Sequence, residues 1–300
     1  LYTYQLKSRQ LNHFDSKQTG LPHNTIYSII HTKDNQIYIG TYNGLCRYVQ
    51  ASGKFENILL PVNRGGSNLF VNSLLEDTTR QCIWIGMEGY LFQYNPTIGE
   101  MKAIEVFHNN SIKSLALDGD ENLLAGTDNG LYVYQNDKEP LQHIIHDSRN
   151  IQSLTNNIIW NIFSDQEHNI WLGTDYGISL SRYNSALQFV PISQITGTGD
   201  GNQFYSLFRD SKGFYWFGGT NGVIRFTHPA GNKHDAIWYR MGDKNHPLSH
   251  NRIRHIYEDR EQQLWIATDG SINRYDYNTH QFVHYNIVDS TGTYNTNWAY

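Results

Sequence analysis

Seven residues, one in about every forty-five positions, carry side chains suited to holding a sugar: Tyr27, Asn72, Lys113, Trp160, Tyr205, Arg254 and Trp298. Trp160, Tyr205 and Trp298 offer flat faces to the C–H side of a pyranose and polar tips to its hydroxyls. Asn72 can hydrogen-bond a diol, and Lys113 and Arg254 can pair with a uronate or a sulfate. The competing reading is that such side chains line a wet channel or pack under loops. Tyr42, Tyr176 and Asn221 are weaker candidates, since Tyr and Asn are ordinary turn residues.

Other groupings point to less. The 14 histidines are scattered. His143 and His146 fall in an expected strand, where their spacing turns them to opposite faces. No metal and no cofactor are expected. Acidic pairs such as Glu76-Asp77 and Glu258-Asp259 recur at one turn of each repeat, and many copies suit capping rather than catalysis. No Ser/His/Asp grouping follows from spacing, so no catalytic residue is expected.

What positions the seven residues is a repeated hairpin. Its first copy, QIYIGTYNGLCRY (Gln36–Tyr48), reads as a strand, a tight turn and a returning strand. Gly44 sits where the turn requires positive φ. Five further copies follow: CIWIGMEGYLFQY, NLLAGTDNGLYVY, NIWLGTDYGISLSRY, FYWFGGTNGVIRF and QLWIATDGSINRYD. The glycine closing the second strand is Gly40, Gly86, Gly126, Gly173 and Gly218, with Ala267 in the sixth copy. Successive positions are 46, 40, 47, 45 and 49 residues apart. A strand precedes each hairpin (Thr25–Thr32, Val71–Asp77, Ile112–Asp118, Ile159–Asp165, Phe204–Asp210, Ile253–Asp259). Another follows (Phe55–Leu60, Met101–Phe107, Leu141–His146, Leu187–Ile192, Ala236–Met241, Phe282–Ile287). Four antiparallel strands per repeat make a propeller blade, apolar on both faces because it lies between two others.

The expected fold is therefore all-β: one seven-bladed propeller over 1–300. Its blades are approximately 21–60, 67–107, 111–146, 153–192, 199–241 and 246–287. A seventh is split between 1–15 and 293–300 and incomplete. The seven candidate residues stand near the start of the first strands, where the repeats stop agreeing with one another. A small residue beside them (Ser28, Ser73, Ser114, Asn161, Ser206, with His255 in the sixth) fits crowding around a central channel. The chain starts at Leu1, so a larger protein that continues beyond Tyr300 is expected.

Composition narrows the class. The net charge of −5 has no basic block behind it, so nucleic acid is not an expected partner. No apolar run approaches membrane-spanning length. Cys46 and Cys82, the 2 cysteines, read as buried thiols rather than a disulfide.

The hairpins, preceded by L-x-x-N motifs such as LPHN (Leu21–Asn24), SLTNN (Ser153–Asn157) and PLSHN (Pro247–Asn251), resemble the two-component-regulator propeller repeat. The resemblance covers essentially the whole chain. It implies the periplasmic sensor region of a Bacteroides-type hybrid two-component system, with an oligosaccharide ligand, anionic in one variant. A second propeller of the same chain, a homodimer mate and a downstream histidine kinase are implied in the same way. The phospho-acceptor and ATP-binding motifs of a kinase are absent from these residues. Two rivals remain at this level: a propeller lyase or glycan-cleaving enzyme, and a pure protein-interaction scaffold.

Overall fold

The structure, a computed structural model, describes residues 1–5, 10–62, 69–104, 110–135, 142–184, 189–191, 202–227, 235–245 and 247–285. The chain divides into two compact units, Leu1–Leu115 and Ala116–Tyr300. Every element among the described residues is a strand, and no helix there is long and apolar enough to cross a membrane.

In the first unit, β1 (Tyr2–Gln5) and β2 (Gln10–His13) pair as a two-stranded hairpin. Blade 1 is β3 (Ile26–His31), β4 (Ile37–Thr41), β5 (Gly44–Val49) and β6 (Lys54–Ile58). Blade 2 is β7 (Val71–Asp77), β8 (Cys82–Met87), β9 (Tyr90–Asn95) and β10 (Glu100–Ile104). Blade 3 starts with β11 (Ile112–Leu117), within which the two units meet in sequence, and continues with β12 (Leu123–Thr127), β13 (Gly130–Tyr134) and β14 (Gln142–Ile144).

In the second unit, blade 4 is β15 (Ile159–Ser164), β16 (Ile170–Thr174), β17 (Gly177–Ser181) and β18 (Phe189–Pro191). Blade 5 is β19 (Phe204–Arg209), β20 (Tyr215–Gly219), β21 (Gly222–Phe226) and β22 (Ile237–Tyr239). Blade 6 is β23 (Ile253–Glu258), β24 (Leu264–Thr268), β25 (Ile272–Asp276) and β26 (Gln281–Tyr285). Each of these six sheets is an up-and-down order of four strands. Of the expected seventh blade, the N-terminal half is the β1–β2 hairpin, while 293–300 lie outside the described residues.

The sequence period has a packing cause. A Cβ built on Gly126 would stand 2.6 Å from Ile159 Cγ2, at the start of the next blade's first strand. One on Gly86 would stand 2.6 Å from Ile112 Cγ2, and one on Gly218 2.4 Å from Ile253 Cγ2. Separations this short are beyond what packed carbon tolerates, so the second strand must be bare there. Apolar cores fill the space between consecutive sheets, as where Trp171 and Leu180 meet Phe204, Phe217 and Phe226.

Among the described residues, hydrogen bonds stitch blade to blade at five of the six hairpins. Thr41, Thr127 and Thr174 accept the turn N–H of Asn43, Asn129 and Tyr176 and donate to the carbonyls of Gly44, Gly130 and Gly177. Those glycines have φ of 115°, 98° and 89°, as the turn demands, and their N–H donates into the next blade's entrance loop. Asn157 receives Gly130 N at 2.7 Å through its carbonyl and His146 N at 2.6 Å through Oδ1. Asn251 does the same for Gly222 N and Met241 N, at 2.7 Å each. The L-x-x-N asparagine is thus a latch. It also explains why β14 and β22 stop short of the expected His146 and Met241, whose N–H groups are drawn out of the ladder.

The small residues of the first strands are stitches too. Ser73 Oγ accepts Leu115 N at 3.1 Å, and Ser206 Oγ accepts Ile256 N at 2.9 Å.

At the other end of the strands, the expected turn-capping carboxylates hold a tryptophan as well, buried in three blades and half-buried in the sixth. Trp84, Trp171, Trp216 and Trp265 donate Nε1–H to Asp77, Asp165, Asp210 and Asp259 at 2.9, 2.8, 2.7 and 2.7 Å. Burial acts to raise the Asp77 carboxyl, but the Arg80 N–H, the Trp84 indole and the Arg80 guanidinium outweigh it and hold it below the usual carboxylate range. A carboxyl depressed by folding contributes stability above its unfolded value, near 4, and loses it as pH falls through the folded value. The melting temperature is expected to drop on acidification below about pH 4, and by less in Asp77→Asn. An acid slope unchanged by that substitution would contradict the assignment.

Candidate functional site

Five of the seven sequence-derived candidates occupy the same special place in their strands. The register of the first strand against the second shifts between Ile26 and Ser28, Val71 and Ser73, Ile159 and Asn161, Phe204 and Ser206, and Ile253 and His255. The extra residue at each shift is Tyr27, Asn72, Trp160, Tyr205 and Arg254. A β-bulge leaves one residue unpaired and re-aims its side chain, freeing it from the packing that makes the rest of each blade alike. Lys113 takes the matching place in β11, half-buried. Trp298 lies outside the described residues.

In the second unit the structure brings two of them, Trp160 and Tyr205, into one cluster, and pairs a third, Arg254, with a turn carboxylate. The rings of Trp160 and Tyr205 meet edge-to-face, with centroids 5.4 Å apart and planes at 79°. Trp160 Nε1 donates to Asp175 Oδ1 at 3.0 Å, and Gln203 Nε2 donates to the same oxygen at 2.6 Å. Tyr205 hydroxyl donates to Gln203 Oε1, closing the loop of contacts. Arg254 pairs with Asp269 through Nε and, at 3.3 Å, through Nη2; the two side chains are 14% and 17% exposed.

Arg252, two residues earlier, reaches Tyr205 hydroxyl through Nη2 at 3.5 Å and lies 5.7 Å from that ring. Its Nε is buried with no hydrogen-bond partner among the described residues. So the Arg254 charge is matched within the protein, and Arg252 has donor capacity to spare.

Sequence reasoning missed Asp175, Gln203, Arg252 and Asp269. Asp175 and Asp269 share one place in the TDYG and TDGS turns, which was the available signal. Gln203 and Arg252 precede the bulges in loops that carry no common pattern.

In the first unit the candidates separate. Tyr27 is 40% exposed and belongs to an aromatic group with Tyr42 at 6.5 Å and Phe70 at 6.3 Å. His23 stacks obliquely on Tyr42 at 4.8 Å. Asn72 spends its amide on the next strand, donating to Ile112 carbonyl at 3.0 Å. Of the weaker candidates, Tyr176 is exposed, and Asn221 is bound through its backbone N–H to Asn202 Oδ1 at 3.0 Å.

Cys46 and Cys82 are free and buried, and burial pushes the Cys46 thiol up to about 12. His, Cys, Asp and Glu do not gather in any group of three or more able to hold a metal among the described residues.

With this geometry, the comparisons with known proteins agree on a family. The two component regulator propeller model matches residues 20–43, 153–176, 198–221 and 247–270. Two crystal structures of the extracellular domain of BT4673 from B. thetaiotaomicron are similar over 100% of this chain. One describes a hybrid two component system (83% identity, TM-score 0.60) and the other a one component system (81% identity, TM-score 0.60). The chain spans 40% of the length of those domains. Virginiamycin B lyase from Staphylococcus aureus aligns over 89% of this chain and 86% of its own (TM-score 0.63), but at 12% identity it shares the fold alone. No curated protein matches the chain. Six four-stranded blades, the L-x-x-N latches and these matches together show that the chain is a β-propeller belonging to the two component regulator propeller family, as found in the extracellular domains of B. thetaiotaomicron.

Proposed function

We propose that the chain is part of a non-catalytic sensor propeller that works outside the cytoplasmic membrane, in the periplasm, and recognises an oligosaccharide. The observation that carries this reading is the bulge. Scaffold positions repeat from blade to blade, whereas the re-aimed residue varies among the blades, Tyr in two of them and Asn, Trp or Arg in others, and is aromatic, amide or cationic. Trp160 and Tyr205 supply apolar faces beside carboxylate, amide and guanidinium groups, a mixture that suits a ring with one C–H face and several hydroxyls. Arg252 offers spare N–H groups to a hydroxyl or an acidic substituent. The 83% identical relative is described as a hybrid two component system, which supports a receptor role.

In this reading the propeller has a seventh blade completed by the segment near Trp298. It contacts a second propeller of the same protein and a dimer mate, and its output reaches a histidine kinase. Ligand acts by binding one arrangement of these parts more tightly than another, since equal affinity for both would move nothing.

Trp160→Ala and Arg254→Ala test the site. Loss of the Trp160 face is expected to weaken glycan binding by about tenfold, roughly the worth of one aromatic contact. The melting temperature of Trp160→Ala should stay within a few degrees of the parent, because the indole is only half-buried. Unfolding of both variants would make these residues core and overturn the site.

A further inference from the structure

One carboxylate and one guanidinium touch the rings of the bulge cluster in the second unit, and neither is fully engaged. Trp160, Asp175, Gln203, Tyr205 and Arg252 are joined in that order and are all half-buried, so each keeps part of its surface open. Asp175 Oδ1 accepts both Trp160 Nε1 and Gln203 Nε2, which leaves Oδ2 without a hydrogen-bond partner among the described residues. The Arg252 side chain donates to the Tyr205 hydroxyl alone, through Nη2 at 3.5 Å, and forms no ion pair among the described residues. Its Nη1 is therefore uncommitted. Gln203, between the two, spends Nε2 on Asp175 and Oε1 on Tyr205.

The neighbouring charges cancel, since Arg254 is held by Asp269. What stays uncommitted is one acceptor anion and one donor cation, with no excess of either sign. A sugar hydroxyl serves both, because it donates to a carboxylate oxygen and accepts from a guanidinium. A uronate or sulfate group serves Arg252 alone. Its charge would enter the same half-buried space as the Asp175 carboxylate, where attraction to one group is offset by repulsion from the other. It also brings no donor for Oδ2, which would lose water and gain nothing. A carboxylate placed this way discriminates by repulsion as well as by contact.

We infer that the bulge cluster selects neutral sugar residues: Asp175 accepts from one hydroxyl and turns anionic groups away, and Arg252 donates to another hydroxyl. The inference rests on the sensing reading above and narrows it to one class of glycan.

A thermal-shift screen of the parent chain against neutral, uronic and sulfated oligosaccharides, with Trp160→Ala as the control for the site, gives the first test. A Trp160-dependent rise is expected with a neutral glycan. Calorimetry should then find its affinity the same at low and high sodium chloride, as an uncharged ligand requires. The same glycan oxidised at its primary hydroxyls to the uronate is expected to bind about tenfold more weakly. In Asp175→Asn, which loses the charge and the Oδ2 acceptor, affinity for the neutral glycan should fall about tenfold and the gap between the two probes should close. Arg252→Gln leaves the Asp175 bonds intact, and there the gap should widen. A Trp160-dependent rise that is as large with a uronic or sulfated glycan as with any neutral one would overturn the selectivity and leave the sensing reading standing. A gap unchanged in both variants would overturn the roles of Asp175 and Arg252. No rise with any class would remove the sensing reading itself, and this inference with it.

Discussion

Asp165→Ala is expected to destabilise the second unit by about 3–5 kcal/mol, among the largest effects of any single substitution in it. The carboxylate is 5% exposed and serves five donors. Oδ1 accepts Glu167 N at 3.0 Å and Asn169 N at 2.8 Å, which closes the turn between β15 and β16. Oδ2 accepts Trp171 Nε1 at 2.8 Å, Asn169 Nδ2 at 3.0 Å and Tyr215 hydroxyl at 3.1 Å. Burial, then the charge of Asp165, push the Tyr215 hydroxyl well up, so it remains a donor at any working pH.

Alanine would leave the fully buried Trp171 indole N–H unpaired between two sheets, and an orphaned buried donor costs about 1–3 kcal/mol. Asp165→Asn keeps an acceptor oxygen on one side of the network only and turns its NH2 to the donors on the other, so it is expected to lose less than alanine but still more than about 1 kcal/mol. Urea unfolding checks both. A loss under about 1 kcal/mol in Asp165→Ala would mean that water reaches the indole and that the pair is not a packing unit.

Gly126→Val carries the second large expectation, a loss of about 2–4 kcal/mol through overpacking. The new Cβ would fall 2.6 Å from Ile159 Cγ2, 3.1 Å from Ile159 Cβ and 3.2 Å from Ile162 Cδ1, and valine adds two more carbons beyond it. All three atoms belong to β15, the first strand of the next blade, so neither partner can retreat without opening the sheet. Combining Gly126→Val with Ile159→Ala is expected to cost less than the sum of the two single changes, because each removes what the other crowds. Additive costs would show that the strain lies elsewhere. Gly177 makes a useful contrast: nothing stands within 4 Å of a Cβ there, and its φ of +89° alone penalises a side chain.

The blades were legible because packing repeats. A bare glycine in the second strand recurs in five of the six blades at intervals of 40 to 47 residues, accompanied by turn glycines with positive φ and asparagine latches, and each marks a contact between neighbouring blades. The Trp171–Asp165 pair was legible only in part: along the chain the carboxylates read as turn caps, and their second role needs the strand geometry that brings residues six apart together.

The bulges left no mark in composition, since one extra residue in a strand shows only when its partner strand is placed beside it. Their effect was visible all the same, as a position near the start of the first strand where the repeats disagree. The partners of that position, Asp175, Gln203 and Arg252, come from turns and loops whose approach depends on tertiary structure. The pairing of Arg254 with Asp269 spans a hairpin and is likewise invisible along the chain.

The central claim is that the re-aimed first-strand residues recognise a glycan. A thermal-shift screen of the chain against neutral, uronic and sulfated oligosaccharides, run in parallel on Trp160→Ala, tests it most directly. Ligand that binds only the folded state stabilises it by about 2.7 kcal/mol at a hundredfold excess over Kd. The account predicts a rise in melting temperature with one glycan class, lost or strongly reduced in Trp160→Ala. No rise with any class, or a rise that survives the loss of Trp160 undiminished, would contradict it.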